Sequence, residues 1–185
     1  KLHALLQQYG GKRPNVYLLH GDLTDEEMNG LYNHPKVKAM VSFTHGEGWG
    51  RPLLEFTTTG KPVIASGWSG QLDFLNPKYS VLLPGELKQV PEDAVNEWII
   101  KEGQWFVVNY GVAAQTLFDV YTNYDKYLDK CKPHANITNN NFTQEKMQLK
   151  LVEMIDDLLA GKIKAEPKQI QMPQPIQLPK LKRIQ

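Results

Sequence analysis

Short apolar runs alternate with helical patterns along most of the chain. Four runs of strand length occur, at residues 16–19, 37–43, 62–65 and 81–83. Runs of this kind are typical of parallel strands that are buried on both faces. Because strands that alternate with helices favour a parallel sheet with right-handed crossovers, the pattern predicts an α/β domain with helices on both faces of the sheet.

The clearest helix signal follows the first apolar run. Thr24 and Glu27 have the spacing of a capping box, with Thr24 as the N-cap and Glu27 at the third helical position. The helix is predicted to end before Pro35, because the residue before a proline avoids helical backbone angles. Its apolar residues form one stripe that is expected to be buried: Met28, Leu31 and Tyr32.

Further helices are predicted at residues 2–9, from Pro52 to Gly60, at 71–75, at 113–127 and from Thr143 to Gly161. The helix at 113–127 carries Leu117, Val120, Tyr121 and Tyr124 at helical spacing, and the last helix is expected to bury Met147, Leu151, Ile155 and Leu158. Residues 84–108 are predicted to be irregular, with Trp98, Trp105 and Phe106 covering one edge of the core, and residues 136–143 are predicted to be an Asn-rich loop.

A glycine-rich turn after the second apolar run carries the candidate chemistry. It contains Gly46, Glu47, Gly48 and Gly50, and a second carboxylate, Glu55, lies about one turn into the helix that follows. Glycines let the backbone approach a ligand closely, and the first turn of a helix offers unpaired N–H groups to an anion. Carboxylates accept hydrogen bonds from hydroxyls. The turn is therefore predicted to bind a phosphorylated ligand that also carries hydroxyls, such as a nucleotide sugar.

Residues 41–73 resemble the donor-binding core of GT-B glycosyltransferases, in particular the group 1 (family 4) enzymes. Four elements occur in register: the Ser before the acidic turn, the Glu-Gly-aromatic-Gly-x-Pro-x-x-Glu element, the Gly-x-Pro-Val-Ile-Ala-Ser strand and a small-residue turn that ends in an acid. The resemblance implies a Rossmann-like domain, the C-terminal half of a GT-B fold. It also implies an enzyme of hexosyltransferase type that transfers the sugar to a hydroxyl acceptor with retention of configuration.

The resemblance assigns roles to residues of the two turns. Glu55 would accept hydrogen bonds from the ribose hydroxyls, and Glu47 would be the catalytic residue, stabilising positive charge at the anomeric carbon of the donor sugar. Backbone amides of the glycine turn would bind the sugar and the diphosphate. The other donor-binding positions are Gly46, Gly48, Trp49, Gly50, Arg51, Leu53, Ser66, Ser69 and Asp73, with His20, Gly21 and His45 as possible contacts.

Four positions depart from the family pattern. Trp49 replaces a phenylalanine, Arg51 an aliphatic residue, Ser69 a glycine and Asp73 a glutamate. None of these changes removes a carboxylate, so the binding of a donor is still expected. Arg51 leaves two interpretations open, a side-chain contact to phosphate or a surface arginine that faces solvent. The Arg and Lys pair that neutralises the diphosphate in the family normally lies upstream of residue 1.

Length and composition limit the function further. The chain has 185 residues and a formal net charge of +1, which gives no strong field that would favour nucleic acid. Its length suits one domain at 1–161 followed by an extended Pro-, Gln- and Lys-rich tail at 162–185, so an acceptor-binding N-terminal domain is expected elsewhere on the polypeptide. Without that domain the chain is expected to be inactive.

The remaining expectations concern cofactors and location. A single cysteine, Cys131, provides neither an internal disulfide nor a zinc-type cluster, which favours a reducing, cytoplasmic location. No apolar run is long enough to span a bilayer. No metal or cofactor is expected, because the sequence shows no metal-binding motif and GT-B enzymes need no bound divalent ion.

Two other functions remain open. The chain could be a non-catalytic GT-B-like scaffold module, against which the two intact glutamates argue. It could also belong to a nucleotide-sugar epimerase or isomerase of the same fold. Donor binding distinguishes the first alternative, and the release of free sugar without an acceptor would favour the second.

Overall fold

The computed structural model describes residue 8 and residues 14–162 of the chain. Within residues 14–162, the helices are α1 (Asp25–Asn33), α2 (Arg51–Thr57), α3 (Tyr110–Thr122), α4 (Tyr124–Asn141) and α5 (Gln144–Leu159). The strands are β1 (Met40–Ser42), β2 (Val63–Ser66), β3 (Val81–Leu83), β4 (Gly85–Gln89) and β5 (Gln104–Val108), and short 3-10 helices occur at Gly70–Asp73 and Glu92–Ala94. The predicted helix at 2–9 and the predicted tail beyond 162 lie outside the described residues.

The first three strands form a parallel sheet in the order β1-β2-β3. Every residue of β2 is buried, as the continuous apolar run predicted. Helix α2 connects β1 to β2, and the 3-10 helix Gly70–Asp73 lies between β2 and β3. The predicted α/β class with a parallel sheet is therefore confirmed, with β1 shorter than the apolar run that predicted it.

One hydrophobic cluster joins this sheet to the elements that follow. Ile64, Val81 and Leu83 come from the parallel strands, Phe106 and Val108 come from β5, and α3 contributes Ala113 and Val120. Apolar area that is removed from water in this way is the main favourable term in folding. The cluster therefore anchors strands β2 and β3 to β5 and α3.

The capping box that was predicted for α1 is present. Thr24 Oγ1 accepts a hydrogen bond from the Glu27 amide at 3.2 Å, and the Glu27 carboxylate accepts one from the Thr24 amide at 2.8 Å. The helix ends at Asn33, before Pro35, as expected. Its apolar stripe is only half-buried, however, so the prediction that Met28, Leu31 and Tyr32 are buried was too strong.

The first predicted strand does not form. Residues 16–19 have no regular secondary structure, and Tyr17 and Leu18 are 85% and 78% exposed. A parallel strand needs a neighbour to pair with its amides and carbonyls. Within residues 14–162 no strand pairs with this segment, so its apolar pattern alone did not make it part of the sheet.

A hairpin occupies much of the region that was predicted to be irregular. Strands β4 and β5 pair antiparallel, from Gly85 opposite Val108 to Gln89 opposite Gln104. Phe106 is buried, as expected, and Trp105 is half-buried. Trp98 is 84% exposed, so the prediction that it covers the core was wrong.

The helix that was predicted at 113–127 is divided at Asn123 into α3 and α4. Val120 is buried, whereas Tyr121 is 84% exposed. Helix α4 then continues to Asn141 through the segment that was predicted to be an Asn-rich loop, with Pro133 inside it. The buried face of α4 explains this difference, because packing overrides weak helix propensity. That face consists of Cys131, His134 and Thr138.

The chain divides into two compact units, Lys1–Asn139 and Asn140–Gln185. In the second unit, α5 begins next to Thr143, as predicted, with Thr143 as its N-cap, and Gly161 follows its end with φ 65°. None of the residues of α5 is buried, so the prediction that Met147, Leu151, Ile155 and Leu158 are buried is not met in the described part of the chain. Among the described helices none is both long and apolar enough to cross a membrane.

Candidate functional site

The glycine turn lies between β1 and α2, as predicted. Gly50 adopts the left-handed conformation with φ 85° and is the N-cap of α2, and Pro52 lies in the first turn, where no amide donor is needed. A side chain at φ 85° would be strained, so a glycine at position 50 allows the chain to enter the helix directly from the turn. The turn thereby brings residues 46–51 next to the first residues of α2.

The second predicted ligand turn, at residues 66–70, is hydrogen-bonded to the first. The Ser69 hydroxyl accepts a hydrogen bond from the Glu47 amide at 3.1 Å and donates one to the Glu47 carbonyl at 2.8 Å. The Gly70 amide donates to the same carbonyl at 3.0 Å. A Cβ atom at position 70 would lie 2.1 Å from the Gly48 carbonyl oxygen, so only glycine permits this approach. The structure therefore brings Glu47, Gly48, Ser69 and Gly70 together.

Several amides of the glycine turn are available to a ligand. Within the described residues, the amides of Gly48, Gly50 and Arg51 donate no hydrogen bond, although Gly50 is a buried residue. Amides of buried residues rarely lack a partner. The Leu53 amide, by contrast, donates to the Gly50 carbonyl at 2.9 Å, so it is already used inside the helix. Within the described residues, three amides of this turn therefore remain without a hydrogen-bond partner, and Leu53 is not among them.

Glu55 lies at the edge of a cavity between α1 and α2, with a volume of about 530 Å³. The Glu55 carboxylate forms an ion pair with Arg51, whose Nε lies 3.1 Å away, and both side chains are exposed. Burial and the negative charge of Glu55 raise the pKa of the Tyr32 phenol, and the nearby Arg51 partly offsets this increase. The lining residues are Leu23, Asp25, Met28, Asn29, Tyr32, Asn33, Arg51, Pro52, Glu55 and Thr58.

His45 connects the glycine turn to the β4–β5 hairpin. Its Nδ1 lies 2.7 Å from the Phe106 carbonyl oxygen, and its ring stacks on Trp105 with 4.1 Å between the ring centres. Because a carbonyl only accepts, Nδ1 carries the proton in this hydrogen bond. The Phe106 amide donates to the His45 carbonyl at 3.2 Å in return. His45 therefore attaches the start of the glycine turn to β5 through two hydrogen bonds and one ring contact.

Ser66, which was also predicted to bind the donor, is buried beneath the site. Its hydroxyl donates to the Thr44 carbonyl at 3.0 Å and accepts a hydrogen bond from Gln71 Nε2 at 2.9 Å. The completely buried Gln71 has a second polar atom, Oε1, that makes no hydrogen bond within the described residues. Its Cβ lies 3.4 Å from where a Cβ at position 50 would be, so Gln71 packs directly against the glycine turn, a contact that the sequence did not reveal.

The other predicted residues lie at the periphery. Asp73 is exposed at the end of the 3-10 helix, and Trp49 is 36% exposed with its ring against Phe74. His20 and Gly21 are exposed and do not line the cavity beside Glu55. Tyr32 does line it, and the sequence indicated this residue only as part of the apolar stripe of α1. The signal that was missed is its position one residue before the end of the capped helix, where its ring contacts Phe56 of α2.

No group of three or more His, Cys, Asp and Glu side chains within residues 14–162 is arranged to hold a metal ion. Comparisons of this chain with protein-family models, with curated proteins and with solved structures find no match.

Proposed function

We propose that this chain is the nucleotide-sugar-binding domain of a GT-B glycosyltransferase. The observation that carries the proposal is the row of amides at Gly48, Gly50 and Arg51, which have no hydrogen-bond partner within residues 14–162 and lead to a cavity lined by Arg51 and Glu55. Such a row suits a diphosphate, and a carboxylate on either side suits the hydroxyls of a sugar and of a ribose. In this proposal the parallel sheet is part of a Rossmann-like domain.

The nucleoside occupies the cavity between α1 and α2. Its ribose hydroxyls donate to Glu55, and its base lies among apolar side chains of the lining, such as Leu23, Met28 and Tyr32. A cavity of about 530 Å³ has the size of a typical small-ligand pocket. Glu55 forms an exposed ion pair with Arg51, and an exposed ion pair is weak enough for a ligand to displace. Arg51 can then contact the diphosphate.

The donor sugar lies beside Glu47. The amides of the glycine turn stabilise the diphosphate as charge moves onto it, and the Glu47 carboxylate stabilises positive charge at the anomeric carbon. The acceptor hydroxyl attacks from the face that the diphosphate leaves, and a leaving phosphate oxygen takes its proton, so the configuration is retained. A second, acceptor-binding domain of the same polypeptide completes this site, and no metal ion takes part.

Calorimetric titration with UDP, GDP, ADP and their common sugar conjugates tests the proposal. We expect one nucleotide to bind saturably. In the Glu55→Gln variant its affinity should fall roughly 10- to 150-fold, because glutamine keeps one acceptor oxygen but loses one hydrogen bond to a charged carboxylate, which contributes about 1.5–3 kcal/mol. Glu153→Gln is the matched control, since Glu153 is an exposed glutamate on α5, far along the chain.

Two results would contradict the proposal. Absence of binding by every nucleotide, also in a polypeptide that includes an acceptor domain, would favour a scaffold module. Equal loss of affinity in Glu55→Gln and Glu153→Gln would show that binding does not depend on the proposed site. Release of free sugar by the complete protein without an acceptor would instead favour an epimerase or isomerase.

A further inference from the structure

Ser69 has an unusual backbone conformation, with φ 75° and ψ −163°. It is the only residue other than glycine with a positive φ in the described part of the chain. This region of backbone angles is almost restricted to glycine, because a Cβ atom there meets the neighbouring backbone. A serine at this position is strained, and strain of this kind persists only where surrounding contacts enforce it.

The Ser69 hydroxyl supplies those contacts. It accepts the hydrogen bond from the Glu47 amide at 3.1 Å and donates to the Glu47 carbonyl at 2.8 Å. Both backbone polar groups of Glu47 are thus held by a single side chain 22 residues later in the sequence. A glycine would adopt the same backbone angles without strain, but it could not make either bond.

We propose that Ser69 is a positioning residue that fixes the Glu47 turn before a ligand arrives. Its hydroxyl is occupied by Glu47, so it acts on the donor through Glu47 and not as a direct donor ligand. Ser69 holds both the amide and the carbonyl of Glu47. It thereby sets the direction of the Glu47 side chain and the position of the next amide, that of Gly48. Preorganised groups bind and stabilise charge without the cost of reorganisation. This role rests on the proposed function for the identity of the ligand.

Two variants separate strain from hydrogen bonding. Ser69→Gly removes the strain and the hydroxyl together, so its melting temperature should be equal to or higher than that of the unchanged protein. Ser69→Ala retains the strain and loses the hydroxyl, so its melting temperature should fall. In both variants, hydrogen exchange at the Glu47 amide should accelerate, whereas exchange at the buried β2 residue Ile64 should stay slow in Ser69→Gly.

The functional measurement uses whichever of UDP, GDP and ADP binds the unchanged protein. Ser69→Gly should bind it about tenfold more weakly despite its intact stability, because small displacements of positioned groups are costly. Unchanged protection of the Glu47 amide in Ser69→Gly would overturn the inference, as would an unchanged affinity. A fall in stability with equal loss of protection throughout the sheet would also overturn it. Exchange needs no ligand, so it decides the role of Ser69 even if no nucleotide binds and the proposed function fails.

Discussion

His134 on α4 is a buried titratable group at some distance along the chain from the candidate site. It is 3% exposed, its Nε2 lies 3.0 Å from the Phe74 carbonyl oxygen, and its Nδ1 lies 3.3 Å from the Ser80 hydroxyl. The carbonyl requires a proton on Nε2, so Nδ1 accepts from Ser80 in the neutral ring. Burial lowers the pKa of His134 below its ordinary value of 6.5, and hydrogen bonds to backbone groups partly offset this effect.

This pKa shift predicts how stability depends on pH. The unfolded chain takes up the His134 proton at about pH 6.5, before the folded protein does. The contribution of neutral His134 is thus complete above about pH 6.5 and is lost as the pH falls from there to the folded pKa. Urea unfolding between pH 7.5 and 5 should show the free energy of unfolding decreasing as the pH falls. In His134→Gln the free energy of unfolding should depend less steeply on pH. Equal slopes in His134→Gln and in the exposed-histidine control His20→Gln would contradict the assignment.

At the scale of elements, the β4–β5 hairpin is coupled to the glycine turn through His45. The variant His45→Phe retains a ring to stack on Trp105 but loses the hydrogen bond to the Phe106 carbonyl. We expect the free energy of unfolding to fall by about 0.5–1.5 kcal/mol, the usual net contribution of one hydrogen bond. Urea unfolding measures this change. His20→Phe, at an exposed position, should have no effect, and a His45→Phe protein as stable as this control would show that this hydrogen bond is not needed.

Elements were predictable where a local signal decided the structure. The capping box at Thr24, the buried run of β2 and the start of the last helix near Thr143 each depend on a few neighbouring residues, and each is observed. The hairpin was not predictable, because every residue of β4 is exposed and no apolar alternation marks it. The continuation of helix α4 to Asn141 was missed because its asparagines and Pro133 disfavour a helix. The packing of its buried face outweighs this weak propensity, but only in the folded chain.

The candidate site shows the same limit at the scale of the molecule. The glycines and carboxylates of residues 46–55 could be singled out from the sequence because they belong to a longer pattern of four elements in register. The contacts that hold them could not, because Ser69 bonds to Glu47 across 22 residues and His45 meets Phe106 across 61. Sequence pattern therefore located the residues of the glycine turn, whereas their support depends on contacts between distant segments.

The division into two units yields a prediction for the whole chain. Helix α5 contributes no buried residue, although its apolar side chains lie at helical spacing. A chain that ends at residue 142 retains α4 and every residue of the hydrophobic cluster around β2 and β5. We expect its free energy of unfolding to differ by no more than about 0.5 kcal/mol from that of the full chain, as for changes at surface positions.

Urea unfolding of the two chains, followed by nucleotide titration, distinguishes the possible roles of α5. Equal midpoints and equal affinities would show that the first unit folds and binds nucleotide without α5. The apolar face of α5 would then not be needed for the stability of the first unit. A lower midpoint for the shorter chain would show that this face stabilises the first unit, as its spacing originally predicted. Val120→Ala in the full chain is the positive control, because deleting buried methyl groups leaves a cavity and should lower the midpoint clearly.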